Sequence, residues 1–423
     1  MTARSPRADF PALARAPTVH YLDSACMTLV PRTVLRAMRE YYERYPGCAG
    51  RSLHRWSEQV GTRYERARAE VALWFGVREP AAVAFQRNTT EAINVVAHGL
   101  PLRRGDRIVL TDQEHSSNLV VWLRRAKELG ARLVFLRLRD DGRFDPDAFQ
   151  ALWHQPVRLV SVFHTSNLDG RSLPIRELVE IAHDHHTPVL VDGSQAASHH
   201  RVEVDRWSID YYAASGHKML GPTGTGLLTG SPTALEALRP LTLGGETVEW
   251  ASETGFALRK IPYRLEAGLQ NYAGVLGLAE AIAYLRRVGV EEIVDRQRTV
   301  NRLVTEELMD ERRVHVLGPS DPDERPSIYA FTIDGVDPHD AALFLDEAQR
   351  VLVRSGRHCV QSWYHRRGLV GNVRASFHLY NDRSDARALV RGVRELVERL
   401  ARPGGPGPRP PTTTARRYRR APS

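Results

Sequence analysis

Between about Ala82 and Gly230, short β-branched runs alternate with amphipathic helical stretches, and this pattern restricts the fold more than any other feature of the 423-residue chain. Strands are predicted at Ala82–Phe85, Arg107–Thr111, Arg132–Leu136, Arg158–Phe163, Pro188–Asp192, Ile209–Ala213 and Gly226–Thr229. Helices fall between them near Thr89–His98, Asn118–Leu129, Pro146–Trp153 and Ile175–His186. Such alternation predicts an α/β domain with a mainly parallel sheet of seven strands, covered on both faces. Ligands of these sheets bind beyond the carboxyl ends of the strands. After Gly230 the pattern changes. A helical region, about Asn271–Leu308, precedes sparser strands (Ser327–Ile333, Val351–Val353, Val373–Phe377) and helices at Pro338–Ala348 and Asp382–Leu400. This reads as a smaller α/β domain, and two domains suit the length. The expected division is an N-terminal extension (1–20), a large domain (21–265) whose first segment packs on the small one, a small domain with connecting helices (266–401) and a tail (402–423).

The formal charge of +9 is unevenly placed, because six arginines lie in the tail Arg402–Ser423. That tail is dominated by Pro, Gly, Thr and Arg and is expected to be disordered. The remainder is only about three charges positive, which gives no strong field for nucleic acid. No stretch approaches the roughly 20 apolar residues that span a bilayer, so a soluble, cytoplasmic protein is expected. Cys26, Cys48 and Cys359 show neither disulfide-framework nor zinc-pair spacing, and are read as free thiols with no metal.

Lysine is almost absent, occurring only as Lys127, Lys218 and Lys260. Lys127 sits in an Arg-rich helical stretch and Lys260 in an ordinary loop. Lys218 ends Ser215-Gly-His-Lys218, just after a predicted strand, and the strand before that one ends on Asp192. An Asp at one strand end and a Lys after the next is the arrangement of a pyridoxal phosphate (PLP) site. There the Lys forms a Schiff base with the aldehyde and the Asp pairs with the pyridinium nitrogen. Asn88-Thr89-Thr90-Glu91 opens a helix directly after a strand, where amides and hydroxyls suit a phosphate. Taken alone it would be an ordinary helix cap. Ser215 and His217 add further phosphate partners. His115 offers a flat imidazole for stacking on a pyridine ring, and Asn167, in a turn before Gly170, offers an amide to the ring hydroxyl or substrate.

These residues resemble a known family. In order, Tyr21-Leu-Asp-Ser-Ala25, Arg51-Ser-Leu-His54, Asn88-Thr-Thr-Glu91, Glu114-His115, His164-Thr-Ser-Asn167, Val191-Asp-Gly-Ser-Gln195, Ser215-Gly-His-Lys218, Glu266-Ala-Gly268, Val353-Arg-Ser-Gly-Arg-His-Cys359 and Val373-Arg-Ala-Ser376 are similar to the class V, fold-type I PLP enzymes. Among these they most resemble SufS-type cysteine desulfurases and selenocysteine lyases. The resemblance runs from about Tyr21 to Arg399.

The resemblance implies that Lys218 is the Schiff-base lysine and proton shuttle, with Asp192 on the ring nitrogen, Gln195 at the ring hydroxyl and His115 stacked on the ring. Thr89, Thr90, Ser215 and His217 would hold the phosphate. Asn167 and Arg374, with Arg354 and His54, would hold the substrate. Cys359 would take sulfur from L-cysteine, or from selenocysteine take selenium, leaving alanine. A homodimer and a sulfur acceptor resembling SufE or SufU are implied as partners. Read from the residues alone, a thiolate at Cys359 is favoured by the Arg354, Arg357 and His358 around it.

Three departures stand out. Leu269-Gln270 replaces a Thr-Pro pair whose threonine, in the family, reaches the partner subunit's cofactor phosphate; Gln270 is a candidate substitute. Arg357 replaces a histidine. Cys26 and Cys48 lie in segments the resemblance places near the active-site mouth, either as separate thiols or converging with Cys359 in a persulfide relay or soft-metal site. Alternatives to the desulfurase are a selenocysteine lyase, a class V epimerase or aminotransferase indifferent to Cys359, and, of another class, a polyanion-binding protein acting through its tail.

Overall fold

The computed structural model describes residues 6–50, 52–139 and 141–401. Arg51 and the tail 402–423 lie outside them.

The large sheet contains β1 (Val83–Gln86), β2 (Arg107–Thr111), β3 (Arg132–Leu136), β4 (Leu159–Phe163), β5 (Val189–Asp192), β6 (Tyr211–Ser215) and β7 (Gly226–Gly230). Their spatial order is β1-β7-β6-β5-β4-β2-β3. Only β7 runs against its neighbours, pairing antiparallel with both β1 and β6. The central strands are buried along their whole length, as Leu159-Val-Ser-Val-Phe163 shows, which is why they read as continuous apolar runs. Edge strand β3 begins on the exposed Arg132.

Helices α1 (Arg32–Arg44), α2 (Arg55–Trp74), α3 (Thr89–Gly99), α4 (Ser116–Leu129), α5 (Tyr272–Val288) and α6 (Val290–Leu308) matter most for the site and the core. The sequence assigns 266–401 to a small domain with connecting helices. Of those helices, α5 packs against α1 and α2 and buries Val275, Leu278, Ile282 and Leu285 in the large core. Its break from α6 is Gly289, at φ 87°, a backbone conformation that suits glycine. Beyond Ile293, α6 turns to a second core, in which Val300 and Val304 meet Phe331, Leu345 and Val393.

The small sheet is four-stranded, with Val314–Leu317, Ile328–Ile333, Asn372–Ser376 and Arg354–Gly356 side by side. The single strand predicted at Val351–Val353 divides. Val351–Leu352 pairs in parallel with His20–Tyr21, and Arg354–Gly356 joins the small sheet. Leu22 lies in the small core, while Phe10 is fully buried against Tyr284 and Tyr380. Arg7 meets the buried carboxylate of Asp385 at 3.2 Å. Residues 6–20 are therefore part of the packed body. No helix among the described residues is long and apolar enough to cross a membrane.

Behind the sheet's carboxyl edge lies a group of histidines, His164, His199 and His378 buried and His200 partly exposed. The rings of His164 and His200 are 4.9 Å apart, and those of His199 and His200 5.1 Å. Burial holds every one of them below the ordinary imidazole value, His200 at about 4 and His378 at about 3. The unfolded chain, with imidazoles near 6.5, takes up protons first as pH falls. Stability supplied by the neutral rings is therefore complete above about pH 6.5 and is lost progressively down to the folded values, a few kcal/mol for each fully buried ring. Urea midpoints measured from pH 7.5 to pH 4 should fall steeply, and His378→Gln should flatten that fall. A midpoint independent of pH over this range would contradict the assignment.

Candidate active site

The carboxyl ends of the strands converge on one cavity of about 240 Å³. Lys218, Cys359, His115, Thr89, Thr90, Asn167, Asp192, Gln195, Ser215, His217, Arg354 and Arg374 all line it. His54 does not. Its imidazole caps α2 instead, accepting from the Ser57 amide at 3.3 Å.

β5 ends on Asp192, whose Oδ1 accepts from the Ser194 amide at 2.9 Å, fixing the carboxylate as the chain turns. β6 ends on Ser215 and runs into a single tight turn, Gly216–Lys218, that brings Lys218 back over the sheet edge. Gly216 is required there: a Cβ would lie 2.2 Å from Thr225 Oγ1. Burial pushes the Lys218 ammonium below its ordinary value, with Asp192 opposing and Arg374 and Arg354 adding to the effect. His115 caps α4, its Nδ1 accepting from the Ser117 amide at 3.1 Å. Burial, reinforced by the Lys218 charge, holds His115 at about 4, so the ring is neutral at neutral pH and carries its proton on Nε2.

The first turn of α3 forms an anion cradle. Thr89 N–H donates to Ser215 Oγ at 2.8 Å and Glu91 N–H to Asn88 Oδ1 at 3.0 Å. The Thr90 amide between them has no protein acceptor among the described residues. Thr90 Oγ1 pairs with Ser117 Oγ at 2.7 Å, joining two helix N-termini at the same point.

The His358–Cys359 segment is held by its backbone carbonyls. His358 and Cys359 both have positive φ, 47° and 61°, a strained conformation for residues other than glycine. Cys359 O accepts from Ser116 N at 2.7 Å and from Ser116 Oγ at 2.9 Å, while His358 O accepts from Asn167 Nδ2 at 2.7 Å. Arg366, in the short helix Gln361–Arg366 that follows, reaches Asp112 at 2.5 Å. Arg374 is 2% exposed. Its Nη1 donates to Asn167 O at 2.7 Å, and its Nε has no partner. A buried guanidinium that lines a cavity is a group suited to a carboxylate.

Two of the alternatives are decided by placement. Gln270 does not reach toward an anion: its Nε2 donates back to Glu266 O and Gly268 O, both at 3.0 Å, and closes its own loop. Leu269 beside it is 69% exposed. The three cysteines do not converge either. Cys26 lines the cavity with Cys359, whereas Cys48 packs against the large core near the start of α2. No group of His, Cys, Asp and Glu able to hold a metal occurs among the described residues.

Sequence reasoning missed Ser116, Ser194 and Glu114 as supports. Ser194 Oγ donates to Thr89 Oγ1 at 2.8 Å. Glu114 is buried at the foot of the His115 loop, where burial raises its carboxyl to about 8. Thr111 Oγ1 at 2.6 Å and Asn118 Nδ2 at 2.8 Å hold it in place. The acidic residue beside His115 in the sequence was the available signal.

The donor set fits PLP: an unused amide in an anion cradle, a carboxylate for a ring nitrogen, a neutral imidazole to lie on a ring, and a buried amine. A family model described as aminotransferase class-V matches residues 20–389. The chain belongs to this family. Within it, the chain is 37% identical to a probable cysteine desulfurase of Halobacterium salinarum, over 93% of this chain and 96% of that protein. It is 34% identical to a cysteine desulfurase of Haloferax volcanii, over 93% and 97% of the two. Among solved structures, the apo cysteine desulfurase of Thermococcus onnurineus aligns with a TM-score of 0.89 at 36% identity, covering 94% of this chain and 98% of the other. The cysteine desulfurase CsdA of Escherichia coli, in an S-sulfonic acid form, aligns with a TM-score of 0.86 at 34% identity, covering 93% and 97%. The fold is thus the fold-type I α/β architecture of class V PLP enzymes.

Proposed function

We propose that this chain is a PLP-dependent cysteine desulfurase, converting L-cysteine to L-alanine and capturing the sulfur on Cys359. The observation that carries this reading is that Cys359, on a strained segment pinned to the start of α4, opens onto the same cavity as Lys218 and Asp192. An epimerase or aminotransferase needs the amine and the carboxylate but has no use for a fixed thiol.

When bound, the cofactor supplies an electron sink that loosens bonds at the substrate Cα and Cβ. Lys218 would anchor it through its amine, with Asp192 for its ring nitrogen, His115 for its ring and the first turn of α3 for its phosphate. Arg374, with Arg354, takes the substrate carboxylate. The Lys218 amine, its ammonium form disfavoured by burial, moves the proton at Cα. Cys359 attacks the substrate sulfur as a thiolate, and a Cys359 persulfide remains as alanine leaves. The compact, ordered nucleophile segment suits hand-off to a dedicated acceptor protein resembling SufE or SufU. A homodimer, working in the cytoplasm where free thiols stay reduced, completes the reading.

The test is alanine and sulfide formed from L-cysteine, with dithiothreitol, by PLP-loaded wild type and Cys359→Ser. Wild type should release both in equal amounts. Cys359→Ser should keep its cofactor absorbance and lose turnover by about a hundredfold or more. A wild-type enzyme that binds PLP and forms no alanine would overturn the substrate assignment.

A further inference from the structure

Cys26 follows the small-domain strand His20–Tyr21 and is the second thiol of the substrate cavity. It is only partly buried, so it is open to reaction in a way a core cysteine is not. Arg354 Nη1 lies 2.6 Å from its Sγ, giving a thiolate a guanidinium counter-ion. Arg374, buried with its Nε unpartnered, lines the same cavity, and the Asp23 carboxyl borders Cys26 on its other side. Asp23 Oδ1 is 3.6 Å from Arg374 Nη2 and has no hydrogen-bond donor of its own. Burial raises the Asp23 carboxyl above its ordinary value, with Arg374 and Arg354 opposing. The cavity thus holds two thiols and a fixed cation beside one of them, and the Asp23 carboxyl adjoins Cys26 just outside its lining.

We propose that Cys26 is a second sulfur acceptor, taking the sulfane sulfur from Cys359 within the substrate cavity. This rests on the desulfurase reading, which supplies the Cys359 persulfide. The Cys26 thiolate attacks the outer sulfur of that persulfide. A bond forms between Cys26 Sγ and the transferred sulfur, the bond from Cys359 Sγ to that sulfur breaks, and Cys359 departs as a thiolate. The proton originally on Cys26 passes to Asp23. Nothing is oxidised or reduced overall, and no further reagent is needed. The transfer frees Cys359 for another turnover while the first sulfur waits beside Arg354.

The experiment uses PLP-loaded wild type, L-cysteine and no reductant. Samples quenched at successive times with iodoacetamide are analysed by peptide mass spectrometry, with alanine measured in parallel. The Cys359 peptide should gain one sulfur first and the Cys26 peptide later. In Cys26→Ser, which keeps an oxygen acceptor for Arg354, sulfur should stay on Cys359 and the total sulfane sulfur should fall by about half. In Cys359→Ser neither peptide should carry it. Alanine formation with sulfur confined to Cys359 in wild type would overturn the relay and leave the desulfurase reading intact. Sulfur on Cys26 in Cys359→Ser would overturn the order of transfer. A disulfide-linked Cys26–Cys359 peptide with sulfide released would show attack at the inner sulfur and overturn it equally. Absence of alanine would instead sink the underlying reading.

Discussion

Lys218→Ala should lower alanine formation from L-cysteine by about a thousandfold or more while the protein still binds PLP. The two halves of this result come from different parts of the site. Covalent anchoring and proton movement at Cα both need the Lys218 amine. The cradle of Thr89, Thr90 and Ser215, the Asp192 carboxylate and the His115 ring do not depend on it, because their own hydrogen bonds hold them. Borohydride treatment should therefore fix the cofactor irreversibly to the Lys218 peptide of wild type and to no peptide of the variant. The variant's cofactor should be removable by dialysis against a competing phosphate compound. Lys218→Arg should be equally inactive, since a guanidinium has no neutral amine to offer near neutral pH. A Lys218→Ala enzyme within tenfold of wild type would refute the role given to this residue.

Much of this site was legible because it lies at strand ends. Asp192, Lys218, His115 and Asn167 each follow an apolar run, and a parallel sheet gathers such positions at one edge whatever the loops do. The boundary between domains was less legible. Helix α5 has buried faces on several sides, and nothing in its pattern says which core covers it; only its packing on α1 and α2 decides. Ser116 carries no local mark of its function, because its partner carbonyl at Cys359 is 243 residues away. Gln270 looked like a donor for an anion, yet three carbonyls of its own loop are within reach and need no second molecule. Cys26 and Cys48 read alike from sequence. Their separation follows from tertiary placement, one in the turn after the strand His20–Tyr21, where it lines the cavity, and the other packed against the large core.

Glu266→Gln should destabilise the protein by about 3–5 kcal/mol, the cost of breaking a buried ion pair by removing one charge. Glu266 had drawn attention only as part of a Glu-Ala-Gly segment, but it proves to be the hub of the large domain's most buried charge network. Arg68 Nη1 and Nη2 donate to its two oxygens at 2.6 and 3.1 Å, and both side chains are about 1% exposed. The Phe85 amide, in β1, donates to Oε1 at 2.6 Å and Tyr64 donates to Oε2 at 3.1 Å. Arg68 Nη1 also reaches the Val83 carbonyl at 2.7 Å, so the pair clamps β1 from both ends to α2 and to the segment before α5. An amide at 266 accepts with one atom only, and leaves the buried guanidinium with the solvent-exposed Glu65 carboxylate, 3.0 Å from its Nε, as its remaining counter-charge. Because β1 leads directly into the anion cradle at Thr89 and Thr90, PLP occupancy at limiting cofactor should fall along with the urea midpoint. Replacing both charges, as Arg68→Met with Glu266→Leu, should recover part of the loss, since a neutral pair has no charge to strand. Recovery should stop short of wild type because the Phe85 amide and Tyr64 hydroxyl then lack an acceptor. A double-mutant cycle gives the coupling directly. If Glu266→Gln costs less than about 1 kcal/mol, or if the double variant is no better than the single, the clamp does not hold β1 as argued.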